Sequence, residues 1–266
     1  MTRRALALDL DGTLLGPDDT VSPRNRAAVE AAAAAGWHVI LATARWYQLA
    51  ERTAHELGLV DPVIACSGAE VRRLRDGADL FDVRLPAPFA TTLYELCDGS
   101  DGMALVYGGR EVAVRRPVPP TLEALAEVRG VDALLTGVDA NPRCALLFGD
   151  VLTALVLERL LPAWQEEVRF LTSMTGQGTP ILTLTSRQAD KGLALAVACS
   201  DLGIDAGDVV AMGDSETDIE MFRVAGASVA MGQASDVVRD AATWVTAGHD
   251  DDGVGRAIED LLAGRR

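Results

Sequence analysis

Histidine, cysteine, positive charge and long apolar runs are all scarce in this sequence, and each scarcity removes a class of function. The three histidines, His38, His55 and His249, are far apart, which indicates neither a zinc site nor a Ser/His/Asp triad. The four cysteines, Cys66, Cys97, Cys144 and Cys199, form no CxxC pair and sit mostly in apolar segments. They read as buried thiols in a reducing compartment rather than as a disulfide framework. Lysine and arginine together number 24 against 39 aspartates and glutamates, giving a net charge of -15 and a pI of about 4.6. That field repels nucleic acid and anionic membranes, so neither is an expected partner. Arg3 and Arg4 precede only four apolar residues before Asp9, too few for a secretory core, and no uncharged stretch is long enough to span a bilayer. A soluble, cytoplasmic protein is expected.

Core material, by contrast, is ample: 266 residues with 49% hydrophobic content supply one large domain or two modest ones. The opening stretch, LALDLDGTLLG, sets the pattern. Ala5 to Leu8 is a short continuous apolar run suited to a strand buried on both faces of a parallel sheet. It delivers Asp9 to the strand's carboxyl end, with Asp11 just beyond and Gly12 allowing a sharp turn. Ligands of open α/β sheets bind outside the carboxyl ends of the strands. Two carboxylates so close repel each other and are expected to share a cation or a proton. The plain alternative is a capping aspartate beside a turn aspartate, and these residues alone leave both readings open.

The same pattern recurs. Ser22 and Pro23 start an alanine-rich helix that ends at Gly36; Trp37 to Ala42 is a strand stopping at Thr43; Arg45 to Leu57 has helical composition; Val63 to Cys66 is a strand stopping at Ser67 and Gly68. This is βαβ rhythm. From about residue 84 the rhythm changes to a hairpin (Gly102–Tyr107 and Glu111–Val114), a helix from Thr121 to about Val128 and a strand at Cys144–Phe148. An amphipathic helix from Val151 to Leu161, ended by Pro162, precedes strands at Val168–Thr172 and Ile181–Thr185, joined by a loop from Ser173 to Thr179 whose Gly176 and Gly178 would allow movement. The βαβ rhythm returns with Asp190 capping a helix from Lys191 to Leu202 and with the strand Val209–Met212, which ends in Gly213 and Asp214. The expected architecture is α/β: a Rossmann-like parallel-sheet core (residues 1–83 and 187–266) with helices on both faces and an inserted mixed α/β cap at 84–186.

Lys191 falls in the first turn of its helix, where the macrodipole disfavours a cation. Broken local rules cluster at functional sites, although a solvated lysine at a frayed helix end has the same sequence signature. Asp214 follows a buried strand and a glycine, as Asp9 does a strand, and Asp218 lies four residues on. Converging on one crevice, these carboxylates would supply hard oxygen ligands for a single Mg2+, while Lys191 and the Thr43 hydroxyl would hold phosphoryl oxygens.

DLDGTLL at Asp9–Leu15, Thr43, Lys191 with Gly192, and GDSETDIEMF at Gly213–Phe222 resemble the four motifs of the haloacid dehalogenase superfamily. The mixed insertion after the third core strand resembles that of its Cof-type, class IIB sugar-phosphatase branch, and the likeness extends to AGASVAMGQAS and DDGVGRAI near the end of the chain. The resemblance implies a Mg2+-dependent phosphatase acting on a small phosphorylated metabolite. Asp9 would be the nucleophile that forms an aspartyl-phosphate; Asp11 would protonate the leaving oxygen and then activate water. Thr43 and Lys191, with Leu10, Gly12, Ala44 and Arg45 around them, would bind the phosphoryl group. Asp9, the Asp11 carbonyl and Asp214 would ligate Mg2+, and Asp218, with Ser215 and Thr217, would support the metal's water shell or Lys191. Three positions depart from the branch's pattern: Ala44 where glycine is frequent, Ser67 where asparagine is usual, and Thr217 where asparagine precedes Asp218. A phosphomutase of the same fold and a low-turnover phosphometabolite-binding protein are the alternatives. The physiological substrate and the choice between monomer and homodimer stay open.

Overall fold

The structure, a computed structural model, describes residues 4–174 and 178–266. The chain forms two compact units, one running to Phe81 and resuming at Asp190–Arg266, the other Asp82–Ala189. The first unit opens with β1 (Ala5–Leu8), α1 (Pro23–Ala34), β2 (His38–Ala42), α2 (Tyr47–Glu56), β3 (Val63–Ala65), β4 (Glu70–Arg72) and β5 (Asp79–Asp82). The second holds α3 (Ala87–Asp98), β6 (Met103–Tyr107), β7 (Val112–Arg115), α4 (Pro120–Glu123), β8 (Val128–Val131), α5 (Leu134–Gly137), β9 (Cys144–Phe148), α6 (Asp150–Trp164), β10 (Val168–Met174) and β11 (Pro180–Ser186). The first unit then resumes with α7 (Lys191–Leu202), β12 (Val209–Gly213), α8 (Ile219–Val224), β13 (Ala227–Ala230), α9 (Asp236–Ala241), β14 (Trp244–Val245) and α10 (Gly253–Leu262).

In the first unit an eight-stranded sheet runs in the order β14-β13-β12-β1-β2-β3-β4-β5. β1 lies at its centre, parallel to both β12 and β2, and all four of its residues are buried, as an uninterrupted apolar strand requires. Register aligns the strand ends: Leu8 is level with Met212 on one side and Leu41 on the other. The residues just past these, Asp9, Thr43 and Asp214, therefore leave the sheet along one edge. Alternate residues Ala5, Ala7, Ile40 and Ala42 pack with Ala194, Leu195 and Ala198 of α7 and Met221 of α8. On other faces α1 and α10 are joined through Asn25, whose amide donates to the Leu14 carbonyl (3.3 Å) and accepts from Gly255 N (2.8 Å). The helix starts follow the capping chemistry in the sequence: Ser22 accepts from Asn25 N (3.1 Å) and Asp190 from Leu193 N (2.8 Å).

The second unit is a six-stranded mixed sheet, β10-β11-β9-β6-β7-β8, antiparallel except for β7 with β8. Its core gathers around Phe89 of α3, whose ring meets Trp164 and Phe170 edge-on at 5.5 and 5.9 Å. Here three expectations are corrected. The helix expected from Thr121 to Val128 is a single turn, α4, because Val128 is drawn into β8 beside Val112. Pro162 does not end α6, which continues to Trp164; a proline in a last turn forfeits little, and Gln165 N still reaches the Leu161 carbonyl at 3.1 Å. Ser173 extends β10 by pairing with Ile181 instead of starting a loop, and Gly176 lies outside the described residues. All four cysteines are buried, and none is in a disulfide among the described residues. No helix among the described residues is long and apolar enough to cross a membrane.

Candidate active site

Three buried or half-buried carboxylates and one ammonium meet where β1 and β12 end. Lys191 Nζ donates to Asp9 Oδ1 at 2.7 Å and to Asp218 Oδ1 at 2.6 Å, and none of the three side chains is more than 6% exposed. Asp214 completes the group: oxygens of Asp9, Asp214 and Asp218 lie within 4.8 Å of one another. Close packing of backbone enforces this. A Cβ on Gly213 would run into the Asp218 side chain, and one on Gly12, which has φ +75, would run into the Asp214 carboxylate. Both glycines are required for the carboxylates to approach.

The roles of the three carboxylates differ by their partners. Asp218 is saturated: Oδ1 takes Lys191, and Oδ2 accepts from Asp214 N (3.1 Å), Ser215 N (3.0 Å) and Ser215 Oγ (2.9 Å). Ser215 in turn shares a hydrogen bond with Thr217 Oγ1 at 2.8 Å. Asp218 thus closes the capping box of the turn after β12 and orients Lys191. Among the described residues the Asp214 carboxylate receives only the Thr13 hydroxyl, at 3.4 Å, and the Asp9 carboxylate only Lys191. Burial, then the Asp218 charge, lifts the Asp9 carboxyl well above the ordinary carboxylate range despite Lys191. The same two causes raise Asp214 to about 6. Burial alone would lower the Lys191 ammonium, but Asp218 and Asp9 outweigh it and hold it above its ordinary value. With all three carboxylates ionised, two negative charges are left over, and oxygens of Asp9 and Asp214 have no donor among the described residues. That donor set, hard, anionic and short of one divalent charge, fits Mg2+.

The other expected site residues divide. Thr43 is fully buried, with its hydroxyl accepting from Arg45 N at 3.1 Å. Leu10 and Gly12 lie in the turn closed by Thr13 N and Leu15 N on the Leu10 carbonyl, and Ala44 is exposed. The Arg45 guanidinium is placed otherwise than expected: it reaches both Asp11 oxygens, at 3.0 and 3.1 Å through Nε, and Asp19 at 2.6 Å. Opposite charge within reach draws it to carboxylates rather than leaving it for a phosphoryl group. Trp46, adjacent to it, is buried packing.

Sequence reasoning missed three supports. Glu220 accepts from Lys191 N at 2.9 Å, offsetting the unfavourable charge of a lysine at a helix start. Gln233 donates to the Gly12 carbonyl (2.6 Å) and accepts from His249 N (3.1 Å), tying the turn after β1 to the loop before α10. Asp19 holds Arg45 against Asp11 from a left-handed turn position, φ 59. One signal was present: Lys191 is the only lysine in the chain, every other basic side chain of that class being arginine.

Comparison with known proteins places this geometry. A family model described as haloacid dehalogenase-like hydrolase matches residues 6–258. The chain belongs to that family. This hydrolase is 27% identical, over 286 aligned residues, to the 5-amino-6-(5-phospho-D-ribitylamino)uracil phosphatase YwtE of Bacillus subtilis, covering 98% of this chain and 99% of that one. It is 28% identical to a haloacid dehalogenase-like hydrolase from Bacteroides thetaiotaomicron of known structure, with a TM-score of 0.86 over 98% of this chain and all of the other. A subclass IIB sugar phosphatase shares the fold at 22% identity, with a TM-score of 0.78 and coverage of 97% and 99%. The α/β architecture with a second mixed sheet is that of the Cof-type, class IIB branch, and the hydrolase is a phosphatase, acting on phosphoric monoesters.

Proposed function

We propose that this phosphatase is Mg2+-dependent and cleaves a small phosphomonoester, a sugar phosphate or related metabolite, through a phosphorylated Asp9. The observation that carries the proposal is the charge balance at Lys191: three clustered carboxylates, one ammonium, and oxygens of Asp9 and Asp214 with no donor among the described residues. Asp9, Asp214 and the Asp11 carbonyl would hold Mg2+, which, when bound, offsets the repulsion between the carboxylate nucleophile and an anionic phosphoryl group.

The chain's own groups do the rest. Lys191 and Thr43 take phosphoryl oxygens and set phosphorus in line with Asp9. The Asp9 carboxylate attacks, the bond from phosphorus to the ester oxygen breaks, and Asp11 gives that oxygen its proton. Asp11, now ionised, takes a proton from the water that attacks phosphorus, and Asp9 leaves as a carboxylate. Asp11 suits the task because its side chain is half exposed and held by one movable partner, Arg45, rather than buried like Asp9. A bisphosphate-handling mutase is disfavoured by the second unit's arginines: Arg143 is buried on Asp82, and Arg115 is spent on the Asp98 and Ser100 carbonyls. Four buried cysteines outside any disulfide accord with action in the cytoplasm.

The test is Mg2+-dependent release of phosphate from an activated aryl phosphate by wild type and Asp9→Asn. Loss of at least about 1,000-fold is expected on removing the nucleophile; turnover persisting unchanged in Asp9→Asn would sink the mechanism.

A further inference from the structure

The segment after β3 holds two consecutive non-glycine residues in the left-handed region, Cys66 at φ 50 and Ser67 at φ 55, followed by Gly68 at φ 89. A single such residue is uncommon, and a run of three is imposed by its surroundings. The Ser67 hydroxyl does not explain it, since that oxygen is buried and has no hydrogen-bond partner among the described residues. The backbone does. Ser67 N donates to the Thr43 carbonyl at 3.0 Å and Cys66 N to the Arg45 carbonyl at 2.9 Å, while Thr43 N donates to Ile64 O at 3.0 Å. The loop carrying Thr43 and Arg45 is thereby stapled on both sides to the end of β3. On its far side the turn presses on α7: a Cβ at Gly68 would stand 2.6 Å from the Asp190 carbonyl oxygen and 2.7 Å from Lys191 N.

We propose that Ser67 and Gly68 are positioning residues that fix the distance between the two phosphoryl-binding groups, Thr43 and Lys191, through a left-handed turn wedged between their backbones. Neither side chain touches substrate. The inference rests on the reading of Thr43 and Lys191 as the phosphoryl site, and it makes the conformation of residue 67, not its chemistry, the quantity that activity depends on. Glycine and asparagine enter the left-handed region readily, alanine less so, and valine poorly because of its branched Cβ.

The test is a series at 67 (Ser67→Gly, Ser67→Asn, Ser67→Ala, Ser67→Val) with Gly68→Ala, read by the inhibition constant of inorganic phosphate and by KM and kcat separately, beside thermal melts. Ser67→Gly and Ser67→Asn are expected to match wild type, Ser67→Ala to raise the phosphate inhibition constant a few-fold, and Ser67→Val and Gly68→Ala to raise it and KM tenfold or more. The ordering must follow left-handed tolerance even where melting points do not. If a bulky variant fails to fold, the Gly and Ala pair still decides. Equal phosphate inhibition constants for Ser67→Gly and Ser67→Ala overturn the proposal. Thr43→Val and Lys191→Met serve as controls: if both leave phosphate inhibition unchanged, the reading of the phosphoryl site has failed; if both weaken it while the 67 series stays flat, only the positioning role has.

Discussion

Replacing Lys191 with methionine separates what the lysine does for the fold from what it does for the reaction. The two side chains are similar in length, so packing is largely kept, but the ammonium between Asp9 and Asp218 is lost. Both carboxylates are buried, and removing one partner of a buried pair leaves uncompensated charge, at about 3–5 kcal/mol. For a chain of this size that is roughly 6–20 °C in melting temperature. The second change, Lys191→Met with Asp218→Asn, removes one of the stranded charges while the asparagine can still accept from Asp214 N and Ser215 N, so most of the stability is expected to return. Activity is expected not to return, because the proposed phosphoryl contact of Lys191 is removed in both proteins; a loss of roughly 100- to 1,000-fold in kcat/KM is expected for each. The measurements are thermal melts without metal and steady-state hydrolysis of an aryl phosphate. A double variant no more stable than Lys191→Met, or one that recovers turnover along with stability, refutes the account of Lys191 as both counter-ion and phosphoryl ligand.

Asp214 gives a pH prediction. Its carboxyl titrates at about 6 in the fold against 3.8 ordinarily, so between those values the folded state keeps a proton that the unfolded state releases. Its contribution is full at low pH and is lost as pH rises through about 6. Metal-free Asp214→Asn should therefore gain on wild type in thermal melts between pH 4 and pH 7, by up to about 3 kcal/mol, and the order should reverse in Mg2+; a wild-type advantage at pH 7 in chelator contradicts the charge balance. Asp11→Asn should depress turnover far more for alkyl phosphates than for aryl phosphates with good leaving groups, because only the former need a proton delivered; equal losses across leaving groups count against that role.

Much of the first unit is legible in the sequence because its cues are local. Ala5–Leu8 is wholly apolar and lies at the sheet centre, Ser22 and Asp190 cap the helices they precede, and a parallel register then brings Asp9, Thr43 and Asp214 to one edge. Lys191 and Asp218 join them because the helix and turn that carry them start at that edge. What escapes is set by partners far away in sequence. Nothing near Arg45 announces that Asp11 and Asp19 will claim it, and Gln233 meets Gly12 across more than 200 residues. Ser67 reads as an ordinary polar residue after a strand, since its left-handed backbone is fixed by the carbonyl of Thr43 and the approach of α7. In the second unit the local cues mislead: α4 is cut short by strand pairing at Val128, and Pro162 is tolerated because it falls in the closing turn of α6.

The solitary lysine also makes the enzyme its own reporter. A protease that cuts only after lysine has one bond to attack in the whole chain, Lys191–Gly192, and that bond sits in the first turn of α7 with both residues buried. Gly192 is pressed so closely on the Glu220 carbonyl that no Cβ would fit. Such a bond enters a protease cleft only when the buried floor around Lys191 comes apart. A time course of cleavage into two fragments is thus a label-free clock of that opening, and its slowing by Mg2+ or phosphate measures how firmly each ligand keeps the floor shut.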